Sequence, residues 1–325
     1  MSDKSQKLGP LDNKLEIFRS TTKDYLVSEL KELSLNPDQL TSVLEKSIDE
    51  AIKDTTKRMI QSKDFSRGMR FWQRDLEESA WLYVQAVLAQ GSKINNLREH
   101  IKSYGSVFIV GAGLSFESGL PLISVLESLL EFCSSKNYVE LQGNNANVLK
   151  LKNEFRRICL DKKPTISHLE ISEHFPDKIW EIVCLNWDNL IEAAAQSKSK
   201  HISKINQEVN PITEQNHLWK FHGDVDMIST DNIKGRGGWV FPSDGGFVLN
   251  CFLKYIQDTK ITEKLFTLVI VGYSESDENV YEQVIKLFEH SPKRPTFRIV
   301  LDLKKLHDAK YIVGPSDYIL PKILN

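Results

Sequence analysis

The stretch VFIVGAGLSFESGLPL, Val107 to Leu122, decides how this 325-residue chain is read. Four apolar residues, Val107 to Val110, run into Gly111-Ala112-Gly113, and a second small-residue turn, Ser118-Gly119, precedes Pro121. A short unbroken apolar run predicts a strand covered on both faces. Gly111 permits a tight turn after it, and Gly113 lets main-chain N–H groups approach a pyrophosphate. By itself a Gly-Ala-Gly turn is equally a strand–helix connection without a ligand. The dinucleotide pattern G-x-G-x-x-G fails, because Phe116 stands at its third glycine. No acidic residue closes an evident second strand about 20 residues on, so hydride-transfer chemistry is disfavoured.

Outward from this turn the same alternation repeats. SVFIVGAG, IWEIVCLNWD, LFTLVIVGYS and TFRIVLDL are short, nearly continuous apolar runs separated by helical stretches. Each ends in Gly, Asn, Ser or Asp, residue types suited to a ligand-facing strand end. The expected fold is α/β, a Rossmann-like, mostly parallel sheet with helices on both faces, in which ligands occupy the crevice beyond the carboxyl ends of the strands. Residues 101–325 are expected to form this α/β domain. Residues 1–100 read as a helical lobe serving oligomerisation or regulation. Leu26, Leu30 and Leu33 recur at helical spacing, and Asn36-Pro37 opens a second helix with Leu40, Val43, Leu44, Ile48 and Ile52 on one face. A third helix over about 68–90 carries Phe71, Trp72 and Trp81, read as core. The Gly-, Ser- and Asp-rich stretch 229–246 reads as a long functional loop.

Composition narrows the class. With 42 basic and 44 acidic residues, a formal charge of −2 gives no global field toward nucleic acid or membrane. The four cysteines, Cys133, Cys159, Cys184 and Cys251, form no C-x-x-C pair, which argues against a structural zinc site. Cys184 lies in a strand run and is expected to be a buried thiol. The N-terminal residues lack a signal-peptide apolar core, and no run reaches the ~20 apolar residues of a membrane helix. The expected location is cytoplasmic.

The longer segment GAGLSFESGLP resembles the nucleotide loop of the sirtuin family, G-A-G-x-S-x-x-S-G-I-P. Gly111, Ala112, Gly113, Ser115, Ser118, Gly119 and Pro121 match, with Leu120 for Ile. Four further segments follow in the family's order. CLNWDNLIE resembles T-Q-N-I-D, with Asn186 and Asp188 on its Asn and Asp. The form N-W-D-x-L-I-E is closer to the bacterial antiphage-defence branch. WKFHGDV resembles K-L-H-G and puts His222 on the family's catalytic histidine. VIVGYSESDENV resembles V-V-G-x-S, whose Gly and Ser, here Gly272 and Ser274, hold phosphate or ribose. FRIVLDL takes the place of the last strand and offers Asp302 to the adenosine ribose.

The resemblance implies a sirtuin-type fold that takes NAD+ as its substrate, with Asn186 and His222 catalytic. Two departures redirect the chemistry. The family's D-F-R is Leu122-Ile123-Ser124 here, and the interval that carries the zinc module holds only Cys251. No metal is expected. With water replacing the acyl-lysine oxygen, the expected reaction is hydrolysis of NAD+ to nicotinamide and ADP-ribose. The alternatives are an NAD-dependent protein deacylase and a non-catalytic NAD or ADP-ribose sensor. The defence branch further implies a homo-oligomer and a separate sensor or ATPase subunit, HerA-like or Argonaute-type. The remaining histidines, His168 among them, have no motif around them and are read as surface or structural.

Overall fold

The computed structural model describes residues 10–62, 69–120, 155–206, 216–225, 247–273, 280–289 and 295–325. Pro121, Ser274, Cys133, His290 and the loop 229–246 lie outside the described residues.

Three helices build the N-terminal lobe: α1 (Pro10–Glu32), α2 (Thr41–Ser62) and α3 (Met69–Leu88). The apolar stripe of α2 meets Leu26 and Leu30 of α1 and Leu76, Tyr83, Val84 and Val87 of α3 in a core of their own. Asn36 starts the second helical segment as expected: its Oδ1 accepts the Asp38 N–H at 3.0 Å, and a single 3-10 turn over Pro37–Leu40 leads into α2. Trp72 is buried and Trp81 half-buried, but Phe71 is 45% exposed and meets Trp72 only edge-on. Leu33 also lies outside the stripe, because α1 ends before it.

Helix α4 (Gly91–Tyr104) behaves differently. Its Ile94, Leu97 and Ile101 pack on the sheet rather than on α1–α3. The core of the lobe thus closes at Val87, and α4, within the expected lobe of residues 1–100, packs with the α/β part.

That part threads β1 (Ser106–Val110), α5 (Ala112–Phe116), α6 (Ile166–His174), β2 (Ile179–Cys184), α7 (Leu190–Ser197), β3 (Ser203–Ile205) and β4 (His217–Lys220). It continues through α8 (Phe247–Thr259), β5 (Thr267–Val271), α9 (a π-helical turn over Tyr281–Ile285 continued by Lys286–Glu289), β6 (Thr296–Val300), β7 (Tyr311–Val313) and α10 (Ser316–Leu324). The seven strands form one sheet in the order β3-β4-β2-β1-β5-β6-β7, every pair parallel. The two-residue side-chain period of a strand explains the apolar runs. Phe108 and Val110 face α4, α6 and α10, whereas Val107 and Ile109 face α8 and α9. Both faces are covered, so neither parity is polar.

The edge at β7 is closed by a side chain. Gln90, just before α4, donates Nε2–H to Val313 O at 2.6 Å, and its Oε1 accepts Val313 N–H at 2.7 Å. The amide makes the two bonds a further strand would make, which blunts an exposed edge.

Candidate functional site

Register fixes where the site must lie. Lys220 pairs with Cys184, Cys184 with Val110, Val110 with Val271, and Val271 with Ile299. The carboxyl ends of β4, β2, β1, β5 and β6 therefore form one row. His222 and Asn186 each lie two residues beyond paired positions on neighbouring strands. The chain goes from β1 to β2 on one side and later returns to β5 on the other. This reversal of direction across β1 is the topological position where open α/β sheets open a crevice.

The glycine turn crosses that crevice by packing on β5. Gly111 N–H donates to Val271 O at 2.9 Å and Gly113 N–H to Gly272 O at 2.8 Å. The amides of Gly111 and Gly113, in the turn expected from the sequence to let N–H groups approach a pyrophosphate, are thus engaged with main-chain carbonyls. Among the described residues the amide of Ala112, between them, makes no such bond. The glycines serve close approach. Gly272 has φ +62°, and a Cβ on it would lie 2.4 Å from Leu114 N and 2.6 Å from Gly113 C. A Cβ on Gly113 would lie 2.7 Å from Gly272 Cα.

Asn186 is buried and tied to this turn. Its Nδ2 donates to Gly111 O at 3.1 Å and to Ser115 Oγ at 2.9 Å. Because Gly111 O can only accept, the amide orientation follows. That leaves Oδ1, buried and with no hydrogen-bond partner among the described residues. Ser118 Oγ is buried and unpartnered in the same sense. Native interiors satisfy almost all such atoms, so Asn186 Oδ1 stands as an acceptor open to a further donor.

Ser115 connects Asn186 to a second histidine. His168 Nε2 lies 3.5 Å from Ser115 Oγ, and His168 Nδ1 accepts the Thr165 N–H at 3.2 Å. Nδ1 therefore accepts, and the neutral ring carries its proton on Nε2. Burial holds His168 below the ordinary histidine value and keeps it neutral. With Asn186 and His168 both donating to Ser115 Oγ, the hydroxyl proton of Ser115 is left for a further acceptor. The sequence reading missed His168. Its available signal was Thr165-x-x-His168, a capping pattern at the start of α6.

His222 sits in a turn held on several sides. Phe221 N–H donates to Cys184 O at 3.2 Å, Gly223 N–H to Lys220 O at 3.1 Å, and Val225 N–H to Trp187 O at 2.8 Å. Behind it lie charged side chains: Asp224, fully buried, meets Lys204 Nζ at 2.7 Å and Asn206 Nδ2 at 2.8 Å. Burial opposes its charge, but these bonds hold its pKa below the usual carboxylate value. Cys184 is buried, with its thiol pushed up to about 12 mainly by that burial. Trp187 joins Leu120, Phe155, Cys159, Leu190 and Val225 in a separate apolar cluster.

The other expected site residues divide. Asp188 Oδ1 accepts Leu190 N–H at 3.1 Å, the first N–H of α7. Gly119 adopts φ +76° and donates its N–H to Phe116 O at 2.8 Å. Asp302, three residues past the paired Ile299, is exposed, and its Oδ1 accepts Lys304 N–H at 3.0 Å. Glu117, which the sequence reading passed over, accepts N–H bonds from Ser316 at 2.9 Å and Asp317 at 3.0 Å, tying the glycine turn to α10. Burial, and then Asp317 beside it, push its carboxyl up to about 8. Among the described residues no group of three His, Cys, Asp or Glu could hold a metal ion, and no helix is long and apolar enough to cross a membrane.

Residues 181–312 match the SIR2-like domain, a span that contains Asn186, Asp188, His222, Gly272 and Asp302 but not the glycine turn. No curated protein matches the chain in sequence. Among solved structures, a Sir2 homologue in complex with NAD superposes with TM-score 0.50 at 16% identity, over 71% of this chain and 92% of that one. A point mutant of a Sir2 homologue in complex with ADP-ribose gives 0.49 at 15% identity, over 70% and 94%. The chain therefore has a sirtuin-like fold: a seven-stranded parallel sheet covered by helices, with an N-terminal helical region.

Proposed function

We propose that the chain is an NAD+ glycohydrolase that releases nicotinamide and ADP-ribose. The observation that carries this reading is Asn186: a buried neutral amide anchored through Nδ2 to the glycine turn, with Oδ1 unpartnered among the described residues, one strand from His222. The C1′–N bond of NAD+ breaks with its electron pair going to the pyridinium nitrogen, so nicotinamide departs neutral. Positive charge develops on the ribose, and water attacks C1′. In this reading Asn186 Oδ1 holds that water or a ribose hydroxyl, and His222 accepts the proton the water loses. A neutral imidazole suits that step, because its unprotonated ring nitrogen can accept a proton. Gly111, Ala112, Gly113, Ser115, Ser118 and Gly119 would form the diphosphate side, and Gly272 and Asp302 the adenosine side. That a Sir2 homologue of similar fold is known in complex with NAD is compatible with this assignment.

The N-W-D-x-L-I-E form at residues 186–192 supports a role as an antiphage effector that depletes NAD+ in the cytoplasm. Such an enzyme needs restraint in an uninfected cell. The lobe α1–α3 is the proposed surface for self-association and for a separate sensor or ATPase subunit.

The test is nicotinamide release from NAD+ by the purified full chain, alone and with candidate activators. Asn186→Ala and His222→Ala should each reduce release by roughly 10²–10⁴-fold while the protein still melts cooperatively. Unchanged turnover in both variants refutes the assignment. O-acyl-ADP-ribose formed from an acylated peptide would instead identify a deacylase. Tight NAD+ binding without turnover under any condition would identify a sensor.

A further inference from the structure

Lys220 ends β4 two residues before His222, and none of its side chain reaches solvent. A lysine is rarely buried this completely, because its ammonium loses hydration that only good partners replace. Those partners come from the neighbouring strand end. Lys220 Nζ donates to the main-chain oxygen of Asp188, two residues past Asn186. It lies 3.7 Å from Cys184 Sγ and 3.8 Å from Glu192 Oε1 on α7. Glu192 Oε1 is also 3.7 Å from Lys204 Nζ, which pairs with Asp224, two residues past His222. Basic and acidic side chains thus alternate from Lys220 through Glu192 and Lys204 to Asp224, and both ends of this line flank His222; burial pushes the Glu192 carboxyl above the ordinary carboxylate value, and the two lysines beside it oppose that. Burial opposes a charge on Lys220, but the acidic groups around it, Glu192, Asp188 and Asp224, outweigh it and hold its pKa above the ordinary lysine value.

We infer that Lys220 is a positioning residue, whose ammonium fixes the Asn186 loop against the His222 turn so that both side chains address one reacting carbon. The inference rests on the proposed NAD+ hydrolysis. An apolar side chain of the same length would fill the space. It would leave the Asp188 carbonyl without this donor and free the loop to shift. A misplacement of about 1 Å is worth roughly 10²-fold in rate.

The experiment compares Lys220→Met and the charge-balanced Lys220→Met/Glu192→Gln with the wild-type chain. It follows melting, NAD+ affinity, nicotinamide release and the His222 imidazole signals by NMR. The double variant, which leaves no unpaired acid facing the methionine, should melt cooperatively and bind NAD+ within about threefold of wild type. Its kcat should fall about 100-fold, and the single set of His222 signals should broaden or double. A kcat within about threefold of wild type, or a fall matched by an equal loss of NAD+ affinity, overturns the inference. If neither Lys220 variant folds, Glu192→Gln alone decides. A roughly tenfold lower kcat at unchanged affinity supports the inference, and a wild-type kcat overturns it. If the wild-type chain releases no nicotinamide either alone or with any candidate activator, the hydrolase reading falls. The His222 signals then decide alone: unchanged signals overturn the positioning role, and doubled ones uphold it.

Discussion

On the β2–β4 side of the crevice the construction is made of side chains. Asn186, Ser115, His168 and Thr165 form one hydrogen-bonded chain, and Lys220, Glu192, Lys204 and Asp224 form a line of charges behind His222. On the β5–β6 side it is made of backbone. Gly272 lies against Gly113 and Leu114 with no room for a Cβ, and Asp302 stands exposed at the far end. A reaction centre needs directed polar atoms, which side chains supply. A diphosphate and a nucleoside need close approach and a shallow contact, which glycines supply. Substitutions should therefore act through lost hydrogen bonds on one side and through steric conflict on the other.

The largest stability effect is expected on the backbone side. Gly272→Ala puts a Cβ into the main chain of the glycine turn at a positive φ, and should cost about 3 kcal/mol or more, read from denaturant unfolding. A loss below about 1 kcal/mol would show that the two turns can separate, and the steric half of the comparison would fail.

Glu117, at the seam between the glycine turn and α10, gives the next effect. Its carboxyl is raised from the ordinary 4.5 to about 8, so the folded protein holds a proton that the unfolded chain sheds. Its contribution to stability is complete below about pH 4.5 and is lost as pH rises toward 8, by at most ~1.4 kcal/mol per pH unit. Glu117→Gln, which does not titrate, should gain stability relative to wild type between pH 5 and 8. Parallel stability curves for the two proteins would refute the buried proton.

Ser115→Ala removes the atom shared by Asn186 and His168. It should cost about 1–2 kcal/mol and lower nicotinamide release more than it weakens NAD+ binding. Equal losses in both would mean that the hydroxyl only packs. The smallest effect is expected at Asp302. Asp302→Ala should change stability by within about 0.5 kcal/mol and raise the KM for NAD+ with little change in kcat. A collapse of kcat there would remove the distinction between the two sides.

The sequence discloses these regions unequally. Strands β1, β2, β5 and β6 are visible because burial on both faces makes each a run of apolar residues. Strands β3 and β7 are three residues each and β4 is four, too short to show a period, and His217-Leu-Trp-Lys220 does not read as apolar. Strand β4 is nevertheless fully buried, because Glu181 accepts the N–H groups of Asn216, His217 and the Trp219 indole. The placement of α4 is equally hidden: its apolar stripe suits either core, and only the sheet decides. Within the site, Asn186 and Gly272 stand at the ends of visible strands and follow from position, whereas His222, beyond the hidden β4, is found only through the resemblance of WKFHGDV to K-L-H-G. Lys220, Asp224 and His168 are found only by asking what their polar atoms touch, since the partners lie between 3 and 53 residues away in sequence. Asp188 carries both readings, since it falls on a nucleotide-site motif and its Oδ1 accepts the N–H of Leu190, where α7 begins.

The most direct measurement is a crystal structure of the full chain with ADP-ribose bound. The diphosphate should lie over the turn at residues 111–113, the adenosine toward Gly272 and Asp302, and the C1′ of the distal ribose should face both Asn186 and His222. A nucleotide seated elsewhere on the molecule, or a C1′ reached by neither side chain, would contradict the assignment.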